Sequence, residues 1–303
     1  MSKQQRLLFL SDLMLLGVAV VWGTSYGVVK SALMFYPVLG LLALRFGITF
    51  VILSPALRHL RSANIRTLRG VLIAGVLLLG IFLCETFGIL MTRAANAAFL
   101  ISLCVVLTPL VEWQLLKRRP SRIEWVAVVL SLTGAWLLAD DGALKLNPGD
   151  ALILLAALLR ALTVCVTKRV MRDSTLPALS VTAVQSGVVA SGSAAAAWLF
   201  APQQWQALPT LTGHASFWAY VAYLVLACTL FAFFAQNFAI KRSSPTRVSL
   251  LMGSEPAFGA LFACLWLGER ISLTAWVGGA LIVAASILAT VRWTAWRTRV
   301  AQA

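Results

Sequence analysis

Along the chain, long apolar runs alternate with short stretches carrying Lys, Arg, Pro or Gly. The runs lie at approximately 11–29, 37–55, 70–90, 94–115, 123–139, 150–167, 177–200, 216–238, 248–267 and 271–291. Most approach the roughly 20 residues that an α-helix needs to cross the hydrocarbon core of a bilayer. None alternates apolar with polar residues as a membrane-barrel strand would, and unpaired backbone has no partner in lipid. The pattern predicts an all-α integral membrane protein with ten transmembrane helices. Residues 1–6 and the apolar stretch after them look like a signal peptide, yet no small-residue cleavage site follows Val21, so the first run is read as a span.

Composition agrees that lipid is the solvent. Of 303 residues, 60% are apolar and 12% charged, whereas soluble domains average about half and about a quarter. A soluble fold of this size leaves too much surface exposed to hide that apolar excess. The net charge of +15 sits in short clusters between the runs, without aromatic or Gly-rich RNA-binding motifs, so no nucleic-acid partner is expected. If the N-terminus is cytoplasmic, nineteen Lys and Arg residues fall on that side and four on the other; Arg45 and Arg160 lie within spans. This bias predicts both termini inside a bacterial-type inner membrane, with anionic lipid facing the surplus charge.

The two halves match at their unusual residues. Residues 11–30 laid on 149–168 pair Asp12 with Asp150 and Lys30 with Lys168. A constant shift of 151 residues then pairs Phe82 with Phe233, Glu85 with Gln236, Thr92 with Ser243, Arg119 with Arg270 and Trp125 with Trp276. The second span fits less closely, setting Ala43, Arg45 and Gly47 on Ala183, Gln185 and Gly187. Five spans per half is an odd number, so the second half enters from the opposite side. The expectation is two inverted five-helix repeats, 1–140 and 141–303, forming one membrane domain around a pseudo-twofold axis in the membrane plane.

These residues resemble a known family. Val21-Trp22-Gly23-Thr24-Ser25-Tyr26 with Lys30, Leu44-Arg45-Phe46, Ser254-Glu255-Pro256 and Leu267-Gly268-Glu269-Arg270 look like the EamA-type branch of the drug/metabolite transporter superfamily. The resemblance covers nearly the whole chain and implies ten helices in two inverted repeats and export of small metabolites such as amino acids. Two departures stand out. Leu116-Lys117-Arg118-Arg119 lacks the Gly-Glu-Arg of the second half, and Glu85 stands where relatives often carry a neutral amide.

An ionised side chain in a span is costly unless paired or hydrated, which singles out Arg45, Glu85, Arg160 and Glu255 as candidates for a water-lined substrate cavity. Arg45 is expected either to pair with Glu85 or Glu255 or to contact substrate. Arg160 replaces Trp22 in the repeat, and an Arg fork suits an anionic group such as an amino-acid carboxylate. Gln236 and Asn237 face Glu85 and Thr86 across the pseudo-axis, and Gln185 is the mate of Arg45. Trp22 and Tyr26, one turn apart, would wall the cavity beside the close-packing pair Gly23 and Gly27. Glu255 otherwise simply caps a helix break at Pro256. Burial disfavours an ionised carboxyl, so Glu85 or Glu255 is the expected group for any proton coupling.

No catalytic set, metal site or cofactor motif is visible. His59 and His214 fall in loops on opposite sides, and there is no Walker A run or C-x-x-C. The five cysteines sit inside apolar runs without ligand spacing. The chain is read as a secondary transporter, not an enzyme, exporting a small amino-acid-like metabolite by alternating access. A membrane enzyme, a non-transporting membrane subunit or a passive channel is the alternative. The sequence leaves the oligomeric state open.

Overall fold

The computed structural model describes residues 3–92, 94–138, 147–172, 174–204, 207–267 and 272–300. Among these, all regular structure is helical. The first half holds α1 (Lys3–Leu33), α2 (Val38–Leu53) running into a 3-10 segment (Ser54–Ser62), and α3 (Ile65–Met91). It continues with α4 (Ala94–Ser102), α5 (Cys104–Leu116) and α6 (Arg122–Leu138). The second half holds α7 (Pro148–Arg172), α8 (Ala178–Phe200), α9 (Ala215–Val225), a π-helical turn (Leu226–Phe231) and α10 (Ala232–Arg242). It ends with α11 (Pro245–Met252), α12 (Glu255–Leu267) and α13 (Leu273–Val300).

Among the described residues, eight helical stretches are long and apolar enough to cross a membrane. The two other expected spans are α6, with 17 residues, and the stretch at 248–267, which is broken between α11 and α12 at Gly253 and Ser254. The run at 94–115 is broken too, at Leu103. Pro256 explains the second break, because it lacks the N–H that would continue the helix ladder and biases the residue before it away from helix. The expected repeat boundary at 140 and 141 lies outside the described residues, as do Gly268, Glu269 and Arg270.

Helix ends recur at the offset read from the sequence. Cys104 and Glu255 open helices that close at Leu116 and Leu267, each pair 151 residues apart. The same separation relates Ala94 to Pro245 and Arg122 to Leu273. Local chemistry sets these ends. Pro37 and Pro177 are extended N-caps of α2 and α8, and Thr92 and Ser243 are extended C-caps of α3 and α10. Ser121 and Glu124 form a reciprocal capping box, as do Asn147 and Asp150, so orphan N–H groups at the starts of α6 and α7 are satisfied.

The halves interlock. The most extensive packing joins α3 to α7, α6 to α13 and α2 to α8, while α1 lies among α9, α10, α11 and α12. The first helix of each half is thus embedded in the opposite half, since α7 also packs on α4 and α5. Large apolar side chains such as Val76, Val129 and Ile287 point outward, as lipid-facing surfaces require.

Of the two glycines expected to allow close approach, only Gly23 does so. A Cβ there would lie 2.6 Å from the Glu255 carbonyl and 2.8 Å from the Gly259 nitrogen, whereas one at Gly27 meets nothing within 4 Å. Gly23→Ala is expected to lower stability by about 1–3 kcal/mol through overpacking against backbone. Gly27→Ala gains helix propensity and is expected to be neutral or stabilising. Thermal unfolding in detergent reads both, and equal losses would overturn the distinction.

Candidate functional site

A cavity opens where α1, α2, α3, α7, α10 and α12 meet. It has about 50 Å³ of room for the centre of a water molecule, enough for a few waters. Trp22, Tyr26, Arg45 and Glu85 line it from the first half; Arg160, Gln236 and Glu255 line it from the second. Sequence separation is large, but the interlocked packing brings all seven expected residues together.

Arg160 and Glu255 form an ion pair, Nη2 to Oε2 at 2.9 Å, bridging α7 and α12. The guanidinium also lies 4.6 Å from the centre of the Trp22 ring, a cation–π contact strengthened by the loss of water around it. Trp22 and Arg160 are mates under the sequence repeat, and the two are in contact. Phe82 and Phe233, also mates, meet with ring centres 5.9 Å apart and form the apolar wall with Phe46.

Arg45 pairs with neither of its expected carboxylates. Its Nε donates to Thr229 Oγ1 at 2.6 Å and its Nη2 to the Cys228 carbonyl at 3.1 Å. Trp22 Nε1 donates to the same carbonyl at 3.1 Å. The π-helical turn supplies this acceptor: the Ala232 N–H bonds to the Ala227 and Thr229 carbonyls, so the ladder slips past Cys228. The rings of Phe46 and Phe82, each 5.2 Å from the guanidinium carbon, cover the rest of the charge.

Among the described residues, three polar groups at the cavity have no close partner outside it. The Tyr26 hydroxyl is buried and lacks a hydrogen bond. Among the described residues, Glu85 has no cation within 4 Å, and the Gln236 amide has no hydrogen-bond partner. Buried polar groups are nearly always satisfied. The carboxyl, the amide and the phenol all face the same cavity.

Gln185 and Asn237 lie elsewhere. Asn237 Nδ2 donates to Gln185 Oε1 at 2.9 Å and to Thr182 Oγ1 at 3.0 Å, tying α10 to α8 away from the cavity. Adjacent helix residues point about 100° apart, so Asn237 cannot share the face of Gln236. Lys168 is not a snorkelling anchor: its Nζ donates to the Ile240 and Lys241 carbonyls and closes the end of α10. Lys30 is exposed. Cys104, Cys165 and Cys228 are buried free thiols, while Cys84 and Cys264 are partly accessible.

The profile of the EamA-like transporter family matches residues 9–139 and again residues 147–291. The chain belongs to the EamA-like transporter family. Over 283 residues it is 26% identical to the inner membrane transporter YedA of Escherichia coli strain K12, covering 91% of this chain and 89% of YedA. A transporter of Archaeoglobus fulgidus is 27% identical over 289 residues, 93% of this chain and 86% of that protein. A protein of known crystal structure, 21% identical, superposes with a TM-score of 0.74 over 92% of this chain and 96% of its own, which extends the likeness to the fold. For an EamA-like transporter, a central cavity with unpaired polar groups is where a small-molecule substrate would be held.

Proposed function

We propose that the protein is a secondary transporter that exports a small zwitterionic metabolite, an amino acid or a related amphipathic compound, by alternating access. The observation that carries this reading is the convergence of repeat mates, Trp22 with Arg160 and Glu85 with Gln236, on one cavity whose Glu85, Gln236 and Tyr26 groups lack partners. Ten spans in two inverted repeats, 1–140 and 141–303, account for the matching helix ends and for the exchange of α1 and α7 between halves. The basic bias of alternate loops supports cytoplasmic termini, and the likeness to YedA supports an inner membrane.

The charge inventory favours a zwitterion. Arg160 and Glu255 neutralise each other, leaving Arg45 and Glu85 as a cation and an anion with no charged partner within 4 Å. A substrate ammonium on Glu85 and a carboxylate on Arg45 would complete both, and Trp22, Phe82 and Phe233 would take an apolar side chain. Glu85 is also the group assigned to proton exchange, since it can accept a proton without breaking an ion pair. The test is counterflow in proteoliposomes with a panel of amino acids, nucleobases and cationic drugs, with and without a proton gradient. Saturable exchange of amino acids, stimulated by the gradient, is expected. Flux that never saturates and shows no exchange would make the protein a channel instead.

A further inference from the structure

Two carboxylates related by the repeat, Asp12 and Asp150, sit near the starts of α1 and α7. Each ties its helix to the start of the broken span of the other half. Asp12 Oδ1 accepts from Arg247 Nε at 3.1 Å, and Asp12 Oδ2 pairs with Arg247 Nη2. Arg247, in α11, is 3% exposed, and its Nη1 donates to the Ala289 and Thr290 carbonyls of α13. One residue earlier, Thr246 donates its N–H at 2.9 Å and its hydroxyl at 2.5 Å to Glu112 of α5. Glu112 also accepts from Arg118 at 3.1 Å. The first turn of α11 is therefore clamped to α1, α5 and α13 through charges.

At the counterpart the fully buried Asp150 carboxylate is held by hydrogen bonds and, among the described residues, by no cation. Asp150 accepts from the Thr92 hydroxyl, just ahead of α4, and from the Asn147 N–H at 3.0 Å; its partners among the described residues are uncharged. At the positions that match Arg247 and Glu112, the chain carries Asn96 and Ala263. Both clamps are formed here, and the cavity between them has about 50 Å³ of room, less than a solute larger than a few waters needs. Opening one clamp would widen the cavity for such a solute.

We propose that these clamps are the latches of the two gates: Asp12–Arg247, backed by Glu112–Thr246, on the cytoplasmic side, and Asp150–Thr92 on the opposite side. Because, among the described residues, only the cytoplasmic latch pairs its carboxylate with a cation, the empty protein rests closed to the cytoplasm and opens outward. This inference rests on the transporter reading and the orientation given above. Alternating access by itself does not say which gate is held more firmly.

The test uses Ser25→Cys, which lies at the cavity, in a chain whose accessible Cys84 and Cys264 are replaced by alanine. Labelling by a membrane-impermeant methanethiosulfonate is timed in right-side-out and inside-out vesicles, with the chain lacking Ser25→Cys as the blank. Labelling from the outer face is expected to dominate. Asp12→Asn and Arg247→Gln are expected to raise cytoplasmic-face labelling about tenfold or more by shifting the two-state population. Asp12→Glu, which keeps the charge, should stay near the parent and controls for damage to the fold. Asp150→Asn is expected to change labelling only a few-fold, because among the described residues no cation is stranded when that carboxylate is neutralised. Cytoplasmic labelling unchanged in both Asp12→Asn and Arg247→Gln overturns the latches. If Ser25→Cys is instead reached equally from both faces in the parent, the outward resting state is overturned, whereas loss of saturable counterflow in the parent is what would overturn the transporter reading.

Discussion

Arg160→Gln is expected to abolish saturable flux and to destabilise the fold at the same time. Its partner Glu255 has a side chain 5% exposed, so removing the guanidinium leaves a carboxylate stranded between α7 and α12. Breaking one side of a buried ion pair typically costs about 3–5 kcal/mol, most of it the penalty of the abandoned charge. That penalty gives a way to separate scaffold from function. In Arg160→Gln with Glu255→Gln, neither position is charged, and most of the lost stability should return. If the pair serves the substrate, flux stays absent in the double variant. Thermal unfolding in detergent and counterflow on the same preparations read the two effects. A double variant that regains flux along with stability would reduce the pair to a bolt between helices.

The rare residues were legible because of their cost. In apolar helices every Arg, Glu or amide needs a reason, and five of the seven side chains singled out on that ground line one cavity, together with the aromatic candidates Trp22 and Tyr26. The repeat offset was legible too, since helix starts such as Cys104 and Glu255 obey it. An offset identifies equivalent positions, however, and says nothing about partners. Arg45 was expected against Glu85 or Glu255 and instead reaches Thr229 and the Cys228 carbonyl, because a π-helical turn with no residue signature presents that carbonyl. The break at Gly253 and Ser254 had Pro256 as its sign, whereas Leu103 has no neighbouring proline; Pro109 lies six residues further on. Arg247, read as a loop cation at the membrane face, is buried, and its partner Asp12 lies 235 residues away in sequence.

The departure at Lys117 has a physical consequence. Under the 151-residue offset Lys117 matches Gly268, and it closes α5 with a φ of 56°, the left-handed conformation that glycine adopts without a Cβ penalty. The first half keeps the turn without the residue best suited to it. What holds the turn is visible nearby: Arg118, the next residue, bonds to both Glu112 and Glu124, joining the end of α5 to the start of α6. In the sequence Arg118 counts only as one of the basic residues between apolar runs, and nothing marks Glu112 or Glu124 as its partners. The same Glu112 then continues into the clamp on α11, so the irregular turn and the gate share a residue.

Glu85→Gln should separate stability from transport in the opposite sense to Arg160→Gln. Among the described residues Glu85 has no cation within 4 Å, so no ion pair is broken when its charge is removed. An unpaired charge in a span costs several kcal/mol or is avoided by protonation. Neutralising it therefore leaves the unfolding temperature unchanged or raises it. The substitution also makes positions 85 and 236 identical, which tests whether their difference matters. If Glu85 holds the substrate ammonium and exchanges the proton, flux of the best substrate falls at least about a hundredfold, as when a charge-assisted bond to the substrate is lost. Whatever flux survives should no longer depend on pH or on a proton gradient. Thr86→Ser, beside it on the cavity wall, is the control for local packing and should keep both dependences. A Glu85→Gln protein with the parent's KM, pH profile and response to the gradient would move the ammonium site and the proton carrier away from this carboxyl, leaving Arg45 as the one unmatched charge at the cavity.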